Sequence, residues 1–335
     1  MEKPIYTPKD FASDQEVRWC PGCDDYVILS AMQKALPEVG VRREDIVFIS
    51  GIGCSSRFPY YMNTYGMHSI HGRAPGIATG VKLSNPDLSV WMITGDGDAM
   101  SIGGNHFIHL LRRNVDLNVI LFNNEIYGLT KGQFSPTSTL GLKTKSSPLG
   151  NVQPPFSVGQ LALGAQARFF ARVAGNSPKE MTDLFIKCHQ FKGTSLVEVL
   201  QNCVIFNDGC FSHVTDKSVR EDKQLYVEHG KPMIFGKERT KGLMLQGLKL
   251  VVVTLGEEGI TEADILVHDA KEPDSTLHHM LVSLQYPLVT GIIRAVPDTT
   301  LEERLHEVKQ AAVAKAKYHT TDELFFSGET YEVGA

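Results

Sequence analysis

The sequence predicts an α/β fold, a doubly wound parallel sheet with an irregular C-terminal extension, and three observations lead to this prediction. Continuous apolar runs at 46–50, 88–94, 117–122 and 195–200 have the length and composition of buried parallel strands. Segments with helical apolar spacing separate these runs. The joints within the 88–122 unit are short, so a β-α-β unit and a parallel sheet follow.

The other elements follow from local signals. Helical spacing predicts helices at 25–36, 74–84, 99–113, 158–174, 178–191 and about 300–317. Pro37 is expected to end the first helix. Residues 128–157 are rich in Gly, Ser, Thr and Pro and predict a long loop, which in a compact domain is usually functional or disordered. We also expect an extended arm at 1–19 and two further strands at 248–255 and 265–268.

Composition argues against several classes of function. The 335 residues include 33 Lys and Arg against 38 Asp and Glu, a net charge of −5, whereas a nucleic-acid-binding protein is expected to carry a basic excess. There is no run of 18 apolar residues, no secretory h-region, and only six cysteines, too few for a disulfide scaffold. We therefore expect a cytoplasmic protein that binds neither nucleic acid nor membrane, with free, catalytic or metal-bound thiols.

The clearest motif follows two successive strands. Gly95-Asp96-Gly97-Asp98 comes after the strand at 88–94, and Asn123-Asn124 comes after the strand at 117–122, with 25 residues, 98–122, between Gly97 and Asn123. This spacing matches the thiamine-diphosphate signature. Adjacent parallel strands end at one sheet edge, where Mg²⁺ could take oxygen ligands from Asp96, Asn124 and the carbonyl group of Ile126. The glycines allow close approach of a diphosphate, and the following helix N-terminus favours an anion. The alternative is a structural turn with an unrelated Asn pair.

A second motif consists of cysteine residues. Cys20 and Cys23 form a C-x-x-C pair, which is compatible with zinc, an iron–sulfur cluster or a redox disulfide, but no second C-x-x-C of a zinc ribbon is present. Cys54 and Cys203 each follow a predicted strand at the same sheet edge. Four thiolates there could hold a cubane cluster. Cys210 is an alternative fourth ligand.

Five motifs in order resemble the β subunit of the 2-oxoacid:ferredoxin oxidoreductases: W-C-P-G-C at 19–23, G-I-G-C-S-S-R at 51–57, H-G-R-A-P-G-I-A-T-G at 71–80, G-D-G-D at 95–98 and F-N-N-E-I-Y-G-L-T-K-G-Q at 122–133. C-V-I-F-N at 203–207 resembles the family's C-V-T-F-N, which favours Cys203 over Cys210. The resemblance covers about 15–225. Cys188, within a predicted helix, is expected to be a buried core cysteine.

The resemblance implies a thiamine-diphosphate-binding domain over 1–225, with a 4Fe–4S cluster on Cys20, Cys23, Cys54 and Cys203. It implies a C-terminal extension over 226–335 that packs on this domain or on the partner subunit. It also implies CoA-dependent oxidative decarboxylation of a 2-oxoacid, or the reverse reductive carboxylation, with electrons passing to ferredoxin. The cofactors would be thiamine diphosphate, Mg²⁺ and the cluster, with coenzyme A as co-substrate. The glutamate that activates thiamine would lie on an α subunit that carries the pyrimidine-binding domain, in a heterotetramer of two α and two β subunits.

The residues implied for cofactor binding lie in the same motifs: Ile52, Gly53, Cys54, Ser55, His71, Gly95, Asp96, Gly97, Asp98, Asn124, Ile126, Gly128 and Leu129. His71 and Arg73 are expected to contact diphosphate or substrate, and the alternative is a loop histidine with a satisfied hydrogen bond. Arg57 and Lys131 are the cations nearest the two cofactor motifs and the predicted catalytic pair. A dicarboxylic 2-oxoacid needs such a cation, so we expect 2-oxoglutarate, giving succinyl-CoA, rather than pyruvate. Either cation could instead bind the thiamine phosphates, coenzyme A or the partner subunit.

One departure from the family concerns the residue after C-P-G-C, which is usually Gly and here is Asp24. Asp tolerates positive φ better than most residues, but its carboxylate is expected to add negative charge near the thiolates. His278 and His279 are expected on a solvated helix face. Two other classes of function compete with the main prediction: a non-redox thiamine lyase or synthase, and a non-catalytic zinc-stabilised assembly subunit.

Overall fold

The computed structural model describes residues 5–334, which are organised around one large sheet. The strands in chain order are β1 (Ile46–Ser50), β2 (Tyr65–His68), β3 (Ser89–Gly95), β4 (Asn118–Asn123), β5 (Ile126–Tyr127), β6 (Gln133–Phe134), β7 (Phe169–Ala174), β8 (Ser195–Leu200), β9 (Gln224–Val227), β10 (Ile234–Phe235), β11 (Lys241–Gln246), β12 (Lys249–Thr254) and β13 (Leu288–Ala295). The large sheet has the order β2-β1-β3-β4-β8-β7-β13-β9. Strands β10–β12 form a separate small sheet, and β5 and β6 form a hairpin.

The helices surround this sheet. In chain order they are α1 (Asp25–Val39), α2 (Phe58–Tyr61), α3 (Ala74–Ser84), α4 (Asp96–Met100), α5 (Gly104–Arg113), α6 (Val158–Gly164), α7 (Pro178–Gln190), α8 (Ser212–Thr215), α9 (Arg220–Lys223), α10 (Thr276–Ser283), α11 (Leu301–Ala314) and α12 (Thr321–Phe325). Short 3₁₀ turns lie at Pro8–Phe11, Arg43–Asp45, Ser55–Arg57 and Glu262–Asp264. None of the helices in the described part of the chain is long and apolar enough to cross a bilayer.

The large sheet confirms the predicted doubly wound α/β class. Every neighbouring pair in it is parallel except β7 with β13. Successive residues of a strand point to opposite faces, so Trp91 packs on one side with α1 and α7, whereas Met92 packs on the other with α3 and α5. Because helices cover both faces, the side chains of the central strands are mostly apolar, and the charged exceptions Arg172 and Glu198 form a buried ion pair.

The structure corrects several local predictions. The first helix continues through Pro37 to Val39, because a proline this close to the C-terminus removes one hydrogen bond and Gly40, with φ at 71°, then ends the helix. The segment 158–174 is not one helix. It turns at Gln166, where φ is 62°, and its second half is the buried strand β7. Residues 265–268 form no strand; they provide only an isolated bridge at Val267.

Two other predictions also change. The helix at 99–113 is split into α4 and α5, because the chain passes close to itself at Gly103, where a Cβ would lie 2.3 Å from the carbonyl oxygen of Asp98. The arm at 1–19 is anchored by two buried aromatic residues, Phe11 and Trp19; residues 1–4 lie outside the described part.

The C-terminal region contributes to the large sheet. The predicted division between 225 and 226 falls within β9, and β13 lies between β9 and β7. His278 is fully buried in α10, contrary to the prediction of a solvated face. Its Nε2 atom contacts the carbonyl oxygen of Asp269 at 2.9 Å, and its Nδ1 accepts from Arg294 at 2.9 Å. The sequence did not reveal this burial because it comes from tertiary contacts, including those with Asp269 and Arg294.

Candidate active site

The candidate site lies where four neighbouring strands end. In the register of the sheet Gly95 pairs with Phe122 on the next strand, and Asn123 pairs with Leu200. The segments that follow β1, β3, β4 and β8 therefore meet at one edge, as expected for parallel strands that end level. These segments carry the glycine, aspartate, asparagine and cysteine motifs of the sequence.

One cavity at this edge, here called the cofactor cavity, brings together all thirteen residues expected to bind the cofactor. Asp25, Phe122, Tyr127 and Thr130 complete its wall. Its volume is about 70 Å³, whereas pockets that enclose a small organic ligand span about 300–1,000 Å³. This chain by itself therefore provides one wall of a binding site and does not enclose a whole cofactor.

Asp96 is a buried carboxylate held from one side. Its Oδ2 atom accepts hydrogen bonds from Ser135 Oγ and Thr137 Oγ1, both at 2.6 Å. Burial raises the pKa of Asp96, and the bonds from these two hydroxyl groups oppose that rise. The hydroxyl donors come from the long loop at 128–157, so part of this loop has a defined task in positioning Asp96.

A chain of buried polar groups, joined by hydrogen bonds, leads to Asp96. Glu198 accepts from Arg172 Nε at 2.7 Å and from Asn123 Nδ2 at 2.8 Å. Asn123 Oδ1 in turn accepts from Thr137 Oγ1 at 3.0 Å. Thr137 also forms a hydrogen bond with Asp96. Asn123, the first asparagine of the pair, therefore helps to orient the Asp96 carboxylate through Thr137. The sequence pattern did not reveal this role.

Asn124, the second asparagine of the pair, is connected to both the diphosphate motif and the C-x-x-C motif. Asn124 lines the cofactor cavity with Asp96 and Ile126, and its Nδ2 donates to Gln201 Oε1 at 2.7 Å. Gln201 Nε2 donates to Cys23 Sγ at 3.1 Å. Gln201 therefore joins the diphosphate motif to the C-x-x-C motif through two hydrogen bonds, and sequence reasoning missed it.

Asp98 organises the loops of the cavity. Its Oδ1 accepts from the backbone N–H groups of Ile52 and Gly72, at 3.1 and 2.8 Å, and Oδ2 accepts from Thr94 Oγ1 at 2.8 Å. His71 Nδ1 lies 2.9 Å from Asp98 Oδ1. Because the carboxylate is already satisfied by these groups, Asp98 shapes the two loops that line the cavity.

A second cavity, here called the cysteine cavity, contains the four cysteines expected to bind a cluster: Cys20, Cys23, Cys54 and Cys203. Its volume is about 200 Å³. Cys54, Asn124, Gly128 and Leu129 line both cavities and so form a shared wall. A group held by the cysteines would therefore lie directly beside the contents of the cofactor cavity.

The thiols of the cysteine cavity affect one another. Burial raises the pKa of Cys54 to about 12, with Asp25, Cys203 and Cys20 adding to the rise through their charges. Burial also raises the pKa of Cys23, with contributions from Asp25, Cys54 and Cys203. Bound iron would reverse this effect, because a coordinating thiol is deprotonated outright.

The four cysteine thiols of this cavity are the type of donor that iron–sulfur clusters use. Among residues 5–334, no three His, Cys, Asp or Glu side chains are grouped closely enough to hold one metal ion. A 4Fe–4S cubane takes one thiolate at each of its four irons, so its ligands lie farther apart than those of a single zinc ion.

The two remaining cysteines do not line the cysteine cavity. Cys188 is fully buried in α7, and its pKa is raised by burial to about 12, as expected for a core cysteine. Cys210 is absent from the residues that line the cysteine cavity; its sulfur lies 3.8 Å from the carbonyl oxygen of Asn124. The structure thus brings Cys203, and not Cys210, together with the other three.

Asp24 and Asp25, the two acidic residues that follow Cys23, have different surroundings. Asp24 has φ at −64°, so it needs no glycine-like backbone, and its Oδ2 accepts from the N–H of Asn202 at 2.9 Å. Asp25 is the carboxyl group whose charge acts on Cys23 and Cys54. Burial, with a contribution from Asp24, raises the pKa of Asp25 to about 7. The sequence analysis singled out Asp24, whereas Asp25 is the acid of this pair that lines the cofactor cavity.

The predicted catalytic cations lie at the border of the site. Neither Arg57 nor Lys131 lines the cofactor cavity, but both line the cysteine cavity. Arg57 also lines a third cavity of about 640 Å³, which shares Gly53 and Leu129 with the cofactor cavity. Arg73 lies outside all three cavities and contacts His106 Nε2.

Comparison with known proteins agrees with this geometry. The family model described as the thiamine pyrophosphate enzyme, C-terminal TPP binding domain, matches residues 51–199. The chain is 52% identical over 299 residues to the 2-oxoglutarate oxidoreductase subunit KorB of Mycobacterium tuberculosis, covering 88% of this chain and 79% of that protein. It is 45% identical over 190 residues to subunit beta of 2-oxoacid:ferredoxin oxidoreductase 1 of Aeropyrum pernix, covering 57% and 60%.

A solved structure gives the same result for the fold. The 2-oxoglutarate:ferredoxin oxidoreductase from Magnetococcus marinus, determined with 2-oxoglutarate, coenzyme A and succinyl-CoA bound, superposes with a TM-score of 0.77. Sequence identity is 28%, and the match covers 97% of each chain. With the motifs gathered at one sheet edge and relatives of this similarity, the chain belongs to the family of 2-oxoacid:ferredoxin oxidoreductase β subunits.

Proposed function

We propose that this chain forms the cofactor-binding half of an enzyme that converts 2-oxoglutarate and coenzyme A to succinyl-CoA and CO₂, or runs the reverse reductive carboxylation, with ferredoxin as the electron carrier. One observation carries the proposal: the cofactor cavity and the cysteine cavity share a wall made of Cys54, Asn124, Gly128 and Leu129. When bound, thiamine diphosphate would supply the decarboxylation chemistry and a 4Fe–4S cluster would remove the electrons.

In this proposal the residues of the chain have distinct tasks. Asp96, Asn124 and the carbonyl group of Ile126 hold Mg²⁺, since hard oxygen donors suit this ion and the buried Asp96 is the charged one. The glycine-rich segments let the backbone come near the diphosphate. Cys20, Cys23, Cys54 and Cys203 hold the cluster, and Gln201 donates a hydrogen bond to one of its sulfur ligands.

The substrate specificity rests on Arg57. Arg57 lies in the third cavity, which adjoins the cofactor cavity at Gly53 and Leu129, so a 2-oxoacid entering there could pair its distal carboxylate with the guanidinium group. Lys131 lines the cysteine cavity together with Arg57 and Leu129. The relatives named for 2-oxoglutarate support this choice of substrate.

A partner subunit completes the site in this proposal. The cofactor cavity is small, and exposed apolar side chains lie beside its lining segments: Ile70 is 72% exposed, Ile102 59% and Leu129 48%. Exposed apolar groups at a binding site are typical of a protein interface. We expect an α subunit with the pyrimidine-binding domain to cover them, in a heterotetramer of two α and two β subunits. A cluster on free thiols also fits a reducing compartment such as the cytoplasm.

The test is the composition and activity of the complex purified anaerobically with its α subunit. We expect four irons and four inorganic sulfides per β chain, stoichiometric thiamine diphosphate and Mg²⁺, and reduction of ferredoxin that depends on both 2-oxoglutarate and coenzyme A. The β chain without its partner should show no turnover. Thiamine without iron would instead indicate a non-redox thiamine enzyme, and zinc without iron would indicate an assembly subunit; either result would overturn the proposal.

A further inference from the structure

Gln201 is a buried amide side chain that belongs to none of the motifs of the sequence. It directly follows β8, is only 1% exposed and lines the cysteine cavity. Its backbone N–H donates to the carbonyl oxygen of Asn123 at 2.8 Å, which continues the pairing of β8 with β4 by one residue. The sheet therefore holds the backbone of Gln201, and the side chain leaves the sheet from a fixed point.

Both ends of the Gln201 amide are used. Its Oε1 accepts from Asn124 Nδ2 at 2.7 Å. Its Nε2 donates to Cys23 Sγ at 3.1 Å and to the carbonyl oxygen of Asn202 at 2.7 Å. Because a carbonyl oxygen can only accept, the contact with Asn202 identifies the nitrogen end of the amide. The reversed amide would place two oxygens against each other, so only one orientation satisfies all three neighbours.

The orientation of Gln201 also decides that of Asn124. Gln201 Oε1 can only accept, so Asn124 turns its Nδ2 toward Gln201 and its Oδ1 away from it. The backbone N–H of Ile126 donates to this Oδ1 at 3.1 Å. An amide oxygen has two lone pairs, so the Asn124 oxygen retains acceptor capacity for a cation in the cofactor cavity, which Asn124 lines. Without Gln201, the Asn124 amide could present its nitrogen, which cannot bind a cation.

The contact with Cys23 concerns the other cavity. Hydrogen bonds to the sulfur ligands are among the features that set the reduction potential of an iron–sulfur cluster. Reduction adds negative charge, and a hydrogen bond to a charged acceptor is stronger than one to a neutral acceptor. The Nε2–H group of Gln201 should therefore stabilise the reduced cluster more than the oxidised one.

We propose that Gln201 is a positioning residue with two tasks. It turns the Asn124 oxygen toward the cation of the cofactor cavity, and it raises the reduction potential of the cluster through its hydrogen bond to Cys23. The inference rests on the proposed function, because it takes thiamine diphosphate with Mg²⁺ and a 4Fe–4S cluster as the occupants of the two cavities. It goes beyond that function in assigning the affinity of one cavity and the potential of the other to a single side chain.

Gln201→Met tests both tasks, because methionine keeps the length of the side chain and removes both the donor and the acceptor. The α–β complex is purified anaerobically and stripped of thiamine. Calorimetry measures its dissociation constant for thiamine diphosphate with Mg²⁺, and a redox titration followed by EPR measures the potential of the cluster. We expect the affinity to fall at least threefold. The equilibrium constant for one-electron reduction should also fall at least threefold, or about 28 mV at 59 mV per tenfold change.

Gln224→Met is the matched control. Gln224 Nε2 donates to the carbonyl oxygen of Val214 at 2.7 Å, and Gln224 lines none of the three cavities. The same substitution there should leave both the affinity and the potential unchanged. A change of similar size in this control would show that the loss of any buried amide has these effects, and it would overturn the inference.

A measurement on the wild-type chain keeps the inference falsifiable should Gln201→Met fail to assemble. The β chain is labelled with ¹⁵N in the side-chain amides of its glutamines and combined with unlabelled α subunit. Pulsed EPR of the reduced cluster should then show a ¹⁵N coupling, which is assigned to Gln201 because no other glutamine among residues 5–334 lines the cysteine cavity. Absence of this coupling would overturn the inference.

The outcomes separate this inference from the proposed function. A loaded Gln201→Met complex in which either the affinity or the potential equals that of wild type overturns the inference alone. A wild-type complex that holds no cluster, or that binds no thiamine diphosphate, overturns the proposed function itself.

Discussion

The sulfur atoms of Cys54 and Cys203 lie against the same side of Gly128. A Cβ atom at Gly128 would be 3.4 Å from Cys203 Sγ and 3.6 Å from Cys54 Sγ. These two cysteines follow different strands, β1 and β8, and the strands between them in the sheet are β3 and β4. The missing side chain of Gly128 thus leaves open the space on which the sulfurs of two distant segments converge.

Gly128→Ala should reduce cluster content while the fold is kept. The methyl group fits the empty space at ordinary contact distances, and φ at Gly128 lies outside the left-handed region, so the backbone is not strained. We expect iron and sulfide per chain to fall by at least half, because the methyl group occupies space beside two ligands. Gly76→Ala, with no atom within 4 Å of the added Cβ, is the control and should retain full iron. Normal iron in Gly128→Ala would contradict this placement of the cluster.

Cys203→Ser and Cys210→Ser should behave differently. Serine is a harder and poorer ligand for iron than a thiolate. Cys203→Ser should therefore lose iron or yield an unstable cluster, as should Cys20→Ser, Cys23→Ser and Cys54→Ser. Cys210→Ser and Cys188→Ser should keep full iron, measured by iron analysis and by absorbance of the anaerobic protein. Iron loss in Cys210→Ser with none in Cys203→Ser would reverse the choice of fourth ligand.

Asp96→Asn should abolish binding of thiamine diphosphate with Mg²⁺ or weaken it by at least a hundredfold, because it removes the charged ligand of the cation. Calorimetry on the α–β complex measures this change. Asp116→Asn is a control at a partly buried aspartate outside the site, where the carboxylate pairs with Lys82 at 3.2 Å. This variant should lose stability but bind the cofactor normally. Unchanged affinity in Asp96→Asn would show that the cation is held elsewhere.

Arg57→Ala should selectively impair use of a dicarboxylic substrate. A charge-assisted contact contributes about 1.5–3 kcal/mol, so kcat/KM for 2-oxoglutarate should fall by about one to two decades. The value for pyruvate should change little. Lys131→Ala is expected to have the same selectivity with a smaller effect, because Lys131 is exposed and does not line the third cavity. Equal loss for both substrates in both variants would remove the argument for a dicarboxylic 2-oxoacid.

His278→Gln should remove part of the acid sensitivity of the fold. Burial lowers the pKa of His278 below its usual 6.5, so below that pH the unfolded chain binds a proton that the folded chain does not. Stability is therefore lost as the pH falls below 6.5, by at most about 1.4 kcal/mol per pH unit. Urea unfolding at pH 7.5 and 5.5 should show a smaller difference for His278→Gln than for wild type. An identical difference would show that His278 takes up its proton in the folded state.

Much of the site was predictable because its motifs are local. The glycine–aspartate and asparagine motifs directly follow apolar strands. Neighbouring parallel strands have their carboxyl ends at the same edge of the sheet, independently of the helices that connect them. This is why all thirteen expected cofactor-binding residues line one cavity. Gln201, Ser135 and Thr137 could not be recognised in this way, because their roles depend on hydrogen bonds between segments that are distant in the chain.

The sequence by itself determined the class of fold and the diphosphate motif, since apolar period and motif spacing suffice for these. Spacing left Cys203 and Cys210 as alternatives, and only the resemblance of C-V-I-F-N to the family's motif favoured Cys203. Only the tertiary structure decided that 169–174 is a strand, that β13 enters the large sheet and that His278 is buried, because each depends on which surface a segment packs against. It also decided which of two adjacent acids faces the cofactor cavity. Asp24 and Asp25 are the same residue type, so the sequence cannot distinguish them. Their positions at the start of α1, beside the sheet edge, decide that Asp24 accepts a hydrogen bond from a backbone N–H group and that Asp25 lines the cofactor cavity.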